Sequence, residues 1–386
     1  MTQQLFQPFE LGATSLANRV VMAPMTRARA ENEIPDALTA EYYAQRAGAG
    51  LIISEGAPVS REGRGFLYTP GLFSAAQAEG WRRVTDAVHA NGGRLFAQLW
   101  HVGRVSHHSL QPEGGQPVGP TARRAIDAKA FAYDDETGEA APLAPDQPRA
   151  LETEEIPRIV EEFARAARLA IDSGFDGVEI HAANGYLFDQ FLNGALNDRS
   201  DRYGGSLENR LRFPLETLDA VIAEIGADRV GIRLSPFGRF NDLEAFDDEA
   251  ETWVAMAGEL EARGPVYVHL SDQLTLGAEK IPDGFAERFC ETWTGTLIAA
   301  GGFDQASGER ALVNGELDLI AMGRPFIANP DLVARMQQGQ PLAEANRETF
   351  YGLLGANGYT DYPTYDEQVA RAEPAASPSS EQESRS

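Results

Sequence analysis

From residue 19 onward the chain alternates short apolar runs with longer amphipathic stretches. The apolar runs occupy residues 20–22, 51–53, 95–97, 178–180, 230–232, 266–268, 297–299 and 319–321. Helix-like stretches follow or separate them at 75–90, 154–173, 207–225, 248–263, 305–314 and 331–338. A short, bounded apolar run reads as a buried strand, and a longer stretch with apolar positions three and four apart reads as a helix. Repeated strand–helix alternation calls for parallel pairing through right-handed crossovers. Eight such units close naturally into a (β/α)8 barrel. The alternative is an open doubly wound sheet, which usually brings a glycine-rich first turn. No GxGxxG occurs in this chain.

Three segments stand outside the alternation. Residues 1–18 read as a hairpin turning at Gly12-Ala13-Thr14 and suited to plug the barrel floor. Residues 105–150, rich in glycine, proline and charge, interrupt the third unit. They are too long for an ordinary strand-to-helix loop and suggest a lid over the mouth. Residues 366–386 read as a disordered tail. The expectation is one barrel domain over residues 1–365, with no second domain.

Composition narrows the class. Hydrophobic residues make up 43% of the 386 residues, enough for a large core. The first six residues lack the basic flank and apolar stretch of a signal peptide, and no apolar run is long enough to span a bilayer. Cys290 is the single cysteine, so an intrachain disulfide and a cysteine-ligated iron–sulfur cluster are excluded. Its place beside Phe289 on a helix-like stretch predicts buried packing. A cytoplasmic enzyme is the expectation. A net charge of −25 argues against nucleic acid as a partner. Lys129 and Lys280 are the only lysines, a bias that fits either genomic composition or a salty habitat.

Candidate chemistry gathers where a barrel carries it, at the C-terminal strand ends. The fourth run leads directly into His181-Ala182-Ala183-Asn184-Gly185-Tyr186. Two hydrogen-bond donors and a phenol arrive together, equipment for polarising a carbonyl and then protonating the product. Taken alone, His181 and Asn184 would be read as helix caps. Other strand ends add Ala23-Pro24-Met25-Thr26, Glu55-Gly56-Ala57, Gln98-Leu99-Trp100, Arg233 and Ser271. Gly301-Gly302 and Gly323-Arg324 end the seventh and eighth runs, where bare backbone N–H groups and a guanidinium suit a phosphate.

These motifs resemble the Old Yellow Enzyme family of FMN-dependent ene-reductases, over about residues 3–365. Besides those above, Gln98-Leu99-Trp100-His101-Val102-Gly103-Arg104, residues 201–210 (DRYGGSLENR), Ala300-Gly301-Gly302-Phe303 and Ala321-Met322-Gly323-Arg324-Pro325 carry the resemblance. It implies that Pro24, Met25, Thr26, Ala57, Gln98 and Arg233 hold the flavin ring and ribityl chain, and that Gly301, Gly302, Gly323 and Arg324 hold the phosphate. It implies further that His181 and Asn184 grip a substrate oxygen and that Tyr186 donates the proton. Tyr68, Trp100 and Tyr351 would wall the pocket. NADPH or NADH would be the transient hydride source. Enones and nitroalkenes would be substrates, and phenols inhibitors. A monomer or a homodimer is expected. Relatives with cysteine in place of Thr26 form another branch. A rim turn at residues 193–197 (NGALN) departs from the Ser-Pro turn of many relatives.

Two competing readings remain at this stage. One is a barrel hydrolase using His181 with Asp189; the other is a non-catalytic flavin sensor. His101 is expected to be structural, His107 and His108 solvated, and His269 receives no role. No metal is expected.

Overall fold

The computed structural model describes residues 3–271 and 281–372. Eight parallel strands form its centre: β1 (Val20–Met22), β2 (Leu51–Ile53), β3 (Leu95–Trp100), β4 (Gly177–Ala182), β5 (Val230–Leu234), β6 (Tyr267–Ser271), β7 (Leu297–Ala300) and β8 (Leu319–Met322). Each pairs with the next, and β8 pairs with β1, so the sheet closes. The barrel read from the apolar runs is the observed fold. β3 extends three residues beyond its run, to Trp100, where Ala57 and Pro58 pair with Leu99 and Trp100.

Strand side chains alternate between two environments, as a pleated strand requires. Val20, Met22, Ile52, Leu95, Ala97, Val178, Ile180, Val230 and Ile232 face outward into the main core, against the helices. Val21, Leu51, Ile53, Phe96, Tyr267, Ile298 and Leu319 fill the barrel interior with Leu11 and Leu16. Those last two come from a hairpin, Phe9–Leu11 against Thr14–Leu16. Its turn at Gly12 lies so close to the foot of β5 and β6 that an added Cβ would sit 2.6 Å from the Asp228 carbonyl and from Val266. The hairpin therefore closes the barrel floor.

The helices are α1 (Ala37–Gln45), α2 (Ala75–Ala90), α3 (Ile156–Asp172), α4 (Leu187–Leu192), α5 (Leu207–Ile225), α6 (Glu249–Arg263), α7 (Phe285–Thr292), α8 (Gln305–Val313), α9 (Arg324–Ala328), α10 (Leu332–Gln338) and α11 (Tyr365–Ala372). Side chains of Asp36, Ser74, Ser206 and Asp304 cap α1, α2, α5 and α8 by accepting backbone N–H bonds. Two expectations need correction. Cys290 is exposed, because α7 turns the i, i+4 pair Phe285 and Phe289 inward and places Cys290 about 100° away. Residues 366–372 of the expected tail belong to α11. Its first turn is docked on α10, where the Tyr365 N–H donates to Asp331 at 2.7 Å. Residues 373–386 of that tail lie outside the described residues, as does Lys280.

Residues 105–150 contain an antiparallel hairpin, Ala130–Tyr133 against Ala140–Leu143, and a short parallel pair, Val118–Gly119 against Arg149–Ala150. Phe131 bridges to Phe66, tying the hairpin to the chain that follows β2. Ala125 and Ala128 pack in one buried cluster with Trp100, Val102 and Tyr186.

Candidate active site

β4 is inward-facing at Gly177, Glu179 and His181, so its last inward side chain reaches the C-terminal mouth. His181 is 4% exposed. Its ring lies nearly parallel to the Trp100 indole (centroids 6.2 Å, 17°) and edge-on to the Tyr186 ring (5.1 Å, 81°). Trp100 and Tyr186 also meet edge-on at 4.9 Å. Three predicted residues thus form one aromatic cluster. Burial, reinforced by Arg233 and His269, holds the His181 pKa well below the usual histidine range, so the ring is neutral at pH 7. Its Nδ1 accepts the Ala183 N–H at 3.3 Å, which leaves the proton on Nε2. His181 is therefore a neutral Nε2–H donor.

Asn184 sits at φ 59° in the left-handed region, which turns the chain sharply between β4 and α4. Three contacts hold this turn. The Asn184 N–H donates to Ser235 Oγ at 2.7 Å, the Ser235 hydroxyl donates to Asp189 at 2.8 Å, and the Gly185 N–H donates to the same carboxylate oxygen at 2.9 Å. Gly185, at φ 71°, allows the loop after β5 to press on it; a Cβ there would lie 2.3 Å from the Phe240 carbonyl. That loop delivers Asn241, whose Nδ2 donates to the Asn184 carbonyl at 2.8 Å and whose amide lies against Tyr186. Burial raises the Tyr186 hydroxyl above the usual tyrosine range against the opposing effect of the Asn241 amide, so Tyr186 stays protonated. Asp189 is occupied with the turn rather than with His181, which removes the dyad a hydrolase would need. Burial pushes its carboxyl up to about 7 against the bonds from Gly185 and Ser235.

Beside this cluster a cleft of about 750 Å³ opens across the ends of β1, β5, β6, β7 and β8, within the range of ordinary ligand sites. It brings together Pro24, Met25, Arg233, Gly301, Gly302, Gly323 and Arg324. Arg233 is 8% exposed and donates to Ser271 Oγ at 3.2 Å, while its Nε has no partner. Trp100 Nε1 is likewise buried and unpartnered. Arg324 makes no ion pair among the described residues. These unmet donors and the glycine-lined end fit a planar, anionic cofactor such as FMN. Ala57 and Gln98 do not line this cleft; they are buried on the β2–β3 side. Thr26 follows Met25 directly. The Glu55 carboxylate accepts the N–H groups of Arg27 (3.0 Å) and Ala28 (3.3 Å) in that turn.

The pocket-wall residues are placed unequally. Trp100 is buried; Tyr68 is half-buried, with its ring edge-on to Phe131 at 6.1 Å. Tyr351 is 61% exposed and rides on a C-terminal segment. Arg27 and Arg29 grip this segment through the carbonyls of Thr349, Phe350, Gly352, Asn357 and Gly358. Arg46 anchors the following Tyr359 carbonyl and stacks over Tyr42 at 3.9 Å. The motif reading missed Asn241 and Arg347 and gave Phe303, the end of a quoted motif, no role; the last two line the cleft. Asn241 and Arg347 arrive on loops with no periodic pattern; only the polar–aromatic mixture of residues 237–242 could have signalled the first.

His101 is buried, with Nδ1 accepting the Gly103 N–H at 3.1 Å, a structural position. His107 departs from expectation: it is 7% exposed, its ring packed against His108 at 4.2 Å. His108 is half-buried and pairs with Asp146 (2.7 Å) and Asp135 (3.0 Å), bonds that raise its pKa. His107, His108 and Asp146 bring possible ligand atoms within 4.8 Å of one another, but the two ion pairs already account for that grouping. No helix among the described residues is long and apolar enough to cross a membrane.

Residues 4–343 match the NADH:flavin oxidoreductase / NADH oxidase family. The chain is 44% identical over 369 residues to a putative 12-oxophytodienoate reductase 2 of Oryza sativa subsp. japonica, covering 94% of each chain. Its fold superposes on morphinone reductase in complex with tetrahydroNAD with a TM-score of 0.90 at 48% identity, covering 94% of this chain and 98% of that one. An old yellow enzyme homologue from Zymomonas mobilis matches with a TM-score of 0.87 at 39% identity, covering 93% and 99%. The chain belongs to the Old Yellow Enzyme (NADH:flavin oxidoreductase) family and is an FMN-dependent NAD(P)H oxidoreductase.

Proposed function

We propose that the enzyme reduces the activated C=C bond of α,β-unsaturated carbonyl or nitro compounds, with NADPH or NADH as hydride source. The observation that carries this reading is the placement of His181, Asn184 and Tyr186 beside a cleft lined by glycines and arginines. FMN, when bound, supplies the hydride relay from the nicotinamide to the β carbon. Pro24, Met25, Thr26, Ala57, Gln98 and Arg233 would hold its ring and ribityl chain, and Gly301, Gly302, Gly323 and Arg324 its phosphate. His181 Nε2–H and the Asn184 carboxamide donate to the substrate oxygen and draw electron density from the β carbon. Preformed donors at such an oxyanion are worth roughly 3–4 kcal/mol each in comparable sites. Tyr186, kept protonated by burial, delivers its proton to the α carbon. Tyr68, Trp100 and Tyr351 shape the pocket, and the 105–150 insertion shields it, with Ala125 and Ala128 against Tyr186 and Trp100. Phenols, which place an oxygen where an enone would, act as inhibitors.

Nicotinamide and enone take turns in this pocket, so the kinetics are ping-pong. Anaerobic mixing of the purified protein with NADPH and then cyclohexenone is the test. The yellow colour should bleach with the first and return with the second. Bleaching without return would leave the flavin-sensor reading; a colourless protein that takes up no FMN would end both.

A further inference from the structure

The polar residues inside the barrel stand in two tiers. In the lower tier Gln98 on β3 is level with Glu179 on β4, and Tyr267 on β6 is level with Gly231 on β5. Gly231 leaves room for the Tyr267 ring, which an added Cβ would approach to 2.2 Å. The Tyr267 hydroxyl thereby reaches Glu179 Oε2 at 3.1 Å. In the upper tier His269 is level with Arg233, and its Nδ1 meets the same oxygen at 2.8 Å. The other oxygen, Oε1, accepts from Gln98 Nε2 at 2.7 Å. Glu179 and His269 are fully buried, and Gln98 is 2% exposed.

A carboxylate accepts hydrogen bonds and donates none. An ionised Glu179 attracts the Gln98 N–H and repels the amide oxygen, so one of the two amide flips is forbidden. Burial would raise the Glu179 carboxyl, but His269, Arg233 and Gln98 outweigh it and hold the group below the usual glutamate range. Among the described residues Glu179 is the sole hydrogen-bond partner of the Gln98 side chain. The amide oxygen and the second N–H therefore remain for a ligand. That pair, an acceptor beside a donor, complements an imide edge, in which a ring N–H lies beside a carbonyl.

We propose that Glu179 is a positioning residue for cofactor recognition: by holding Gln98 in a single amide flip, it makes the barrel select a ring with an imide N–H next to a carbonyl. The inference rests on FMN occupying the cleft, as in the reading above. Tyr267 and His269 hold the carboxylate in place for this purpose, and Gly231 makes room for the Tyr267 ring.

The test strips FMN from the full-length enzyme and titrates the apoprotein with FMN and with N3-methyl FMN, following quenching of flavin fluorescence. The wild type should bind FMN and disfavour the methylated analogue by about tenfold or more, because methylation removes one hydrogen bond and leaves the amide oxygen unpaired. Glu179→Leu should weaken FMN about tenfold and bring the two flavins within about threefold of each other, since either flip becomes available. Glu179→Gln, whose NH2 can donate to the Gln98 oxygen, admits the other flip and should lose most of the discrimination, as the leucine variant does. Melting curves and circular dichroism report folding, and Glu179→Met replaces the leucine variant if that one does not fold. Undiminished discrimination in Glu179→Leu or Glu179→Met overturns the proposal. So does a Glu179→Gln enzyme that keeps the full wild-type discrimination, which would show that an acceptor-only partner is not what fixes Gln98. A wild type that binds neither flavin removes the FMN reading and this inference with it; one that binds both equally removes only this inference.

Discussion

Tyr186 is held on three sides, by the Trp100 indole, the His181 ring and the Asn241 amide. Burial raises its hydroxyl above the ordinary tyrosine range, so it stays protonated at neutral pH, as the proposed proton donor must. Tyr186→Phe should slow reoxidation of reduced enzyme by an enone by roughly 10²-fold or more, the usual worth of a general acid. Flavin reduction by NADPH should stay within about twofold, since that half-reaction needs no proton from this residue. Stopped-flow traces of the two half-reactions separate these effects, and equal loss in both would deny Tyr186 the role. His181, Asn184 and Tyr186 were readable from the chain because they are contiguous with one strand end. Asn241 was not, because it is brought to Tyr186 by a loop whose path depends on left-handed backbone at Phe237, Asn241 and Asp242.

Among elements, the turn after β1 depends on a neighbour. Glu55, at the end of β2, accepts the Arg27 and Ala28 N–H groups and so sets the turn that carries Thr26. Burial lifts this carboxyl to about 7, opposed by those N–H bonds and by Arg27. An acid whose pKa is raised on folding favours the folded state while protonated. Its contribution is complete below about pH 4.5 and is lost as pH rises through about 7. Glu55→Gln keeps the acceptor and removes the titration. The variant should gain on the wild type between pH 5 and pH 8, on the order of 1–3 kcal/mol. Melting temperatures across that range measure it, and parallel curves would contradict it. Strand positions were legible because each is a bounded apolar run with one residue facing the barrel and the next facing the helices. α1 was not, because Ala37, Leu38, Ala40, Tyr42 and Tyr43 spread around its circumference. Cys290 was misread because adjacency to Phe289 suggests burial, whereas helical geometry puts neighbours on different faces.

Over the whole molecule, a net charge of −25 sits on a barrel whose cations are nearly all arginine. Many are paired, but exposed pairs contribute little individually. The residual repulsion between carboxylates is long-ranged and salt-screened. The melting temperature should therefore rise between roughly 20 mM and roughly 1 M sodium chloride. A fall would mean that the ion pairs outweigh the repulsion. The barrel as a whole was readable because its eight-fold alternation is a global pattern. The C-terminal wall was not, since residues 344–364 follow no period and are shaped by Arg27, Arg29 and Arg46 from far away in the chain. These three guanidinium groups clasp main-chain oxygens, which every amino acid owns alike. Apart from its glycines and the buried Tyr359, which stacks on Tyr42 beneath Arg27 and Arg29, the strap is thus held by its main chain rather than by its lettering. Exchanging its exposed side chains, Tyr351 among them, leaves the grip unslackened, so the portion of this enzyme most open to revision is the one proposed to greet the incoming molecule, while the cylinder beneath stands still.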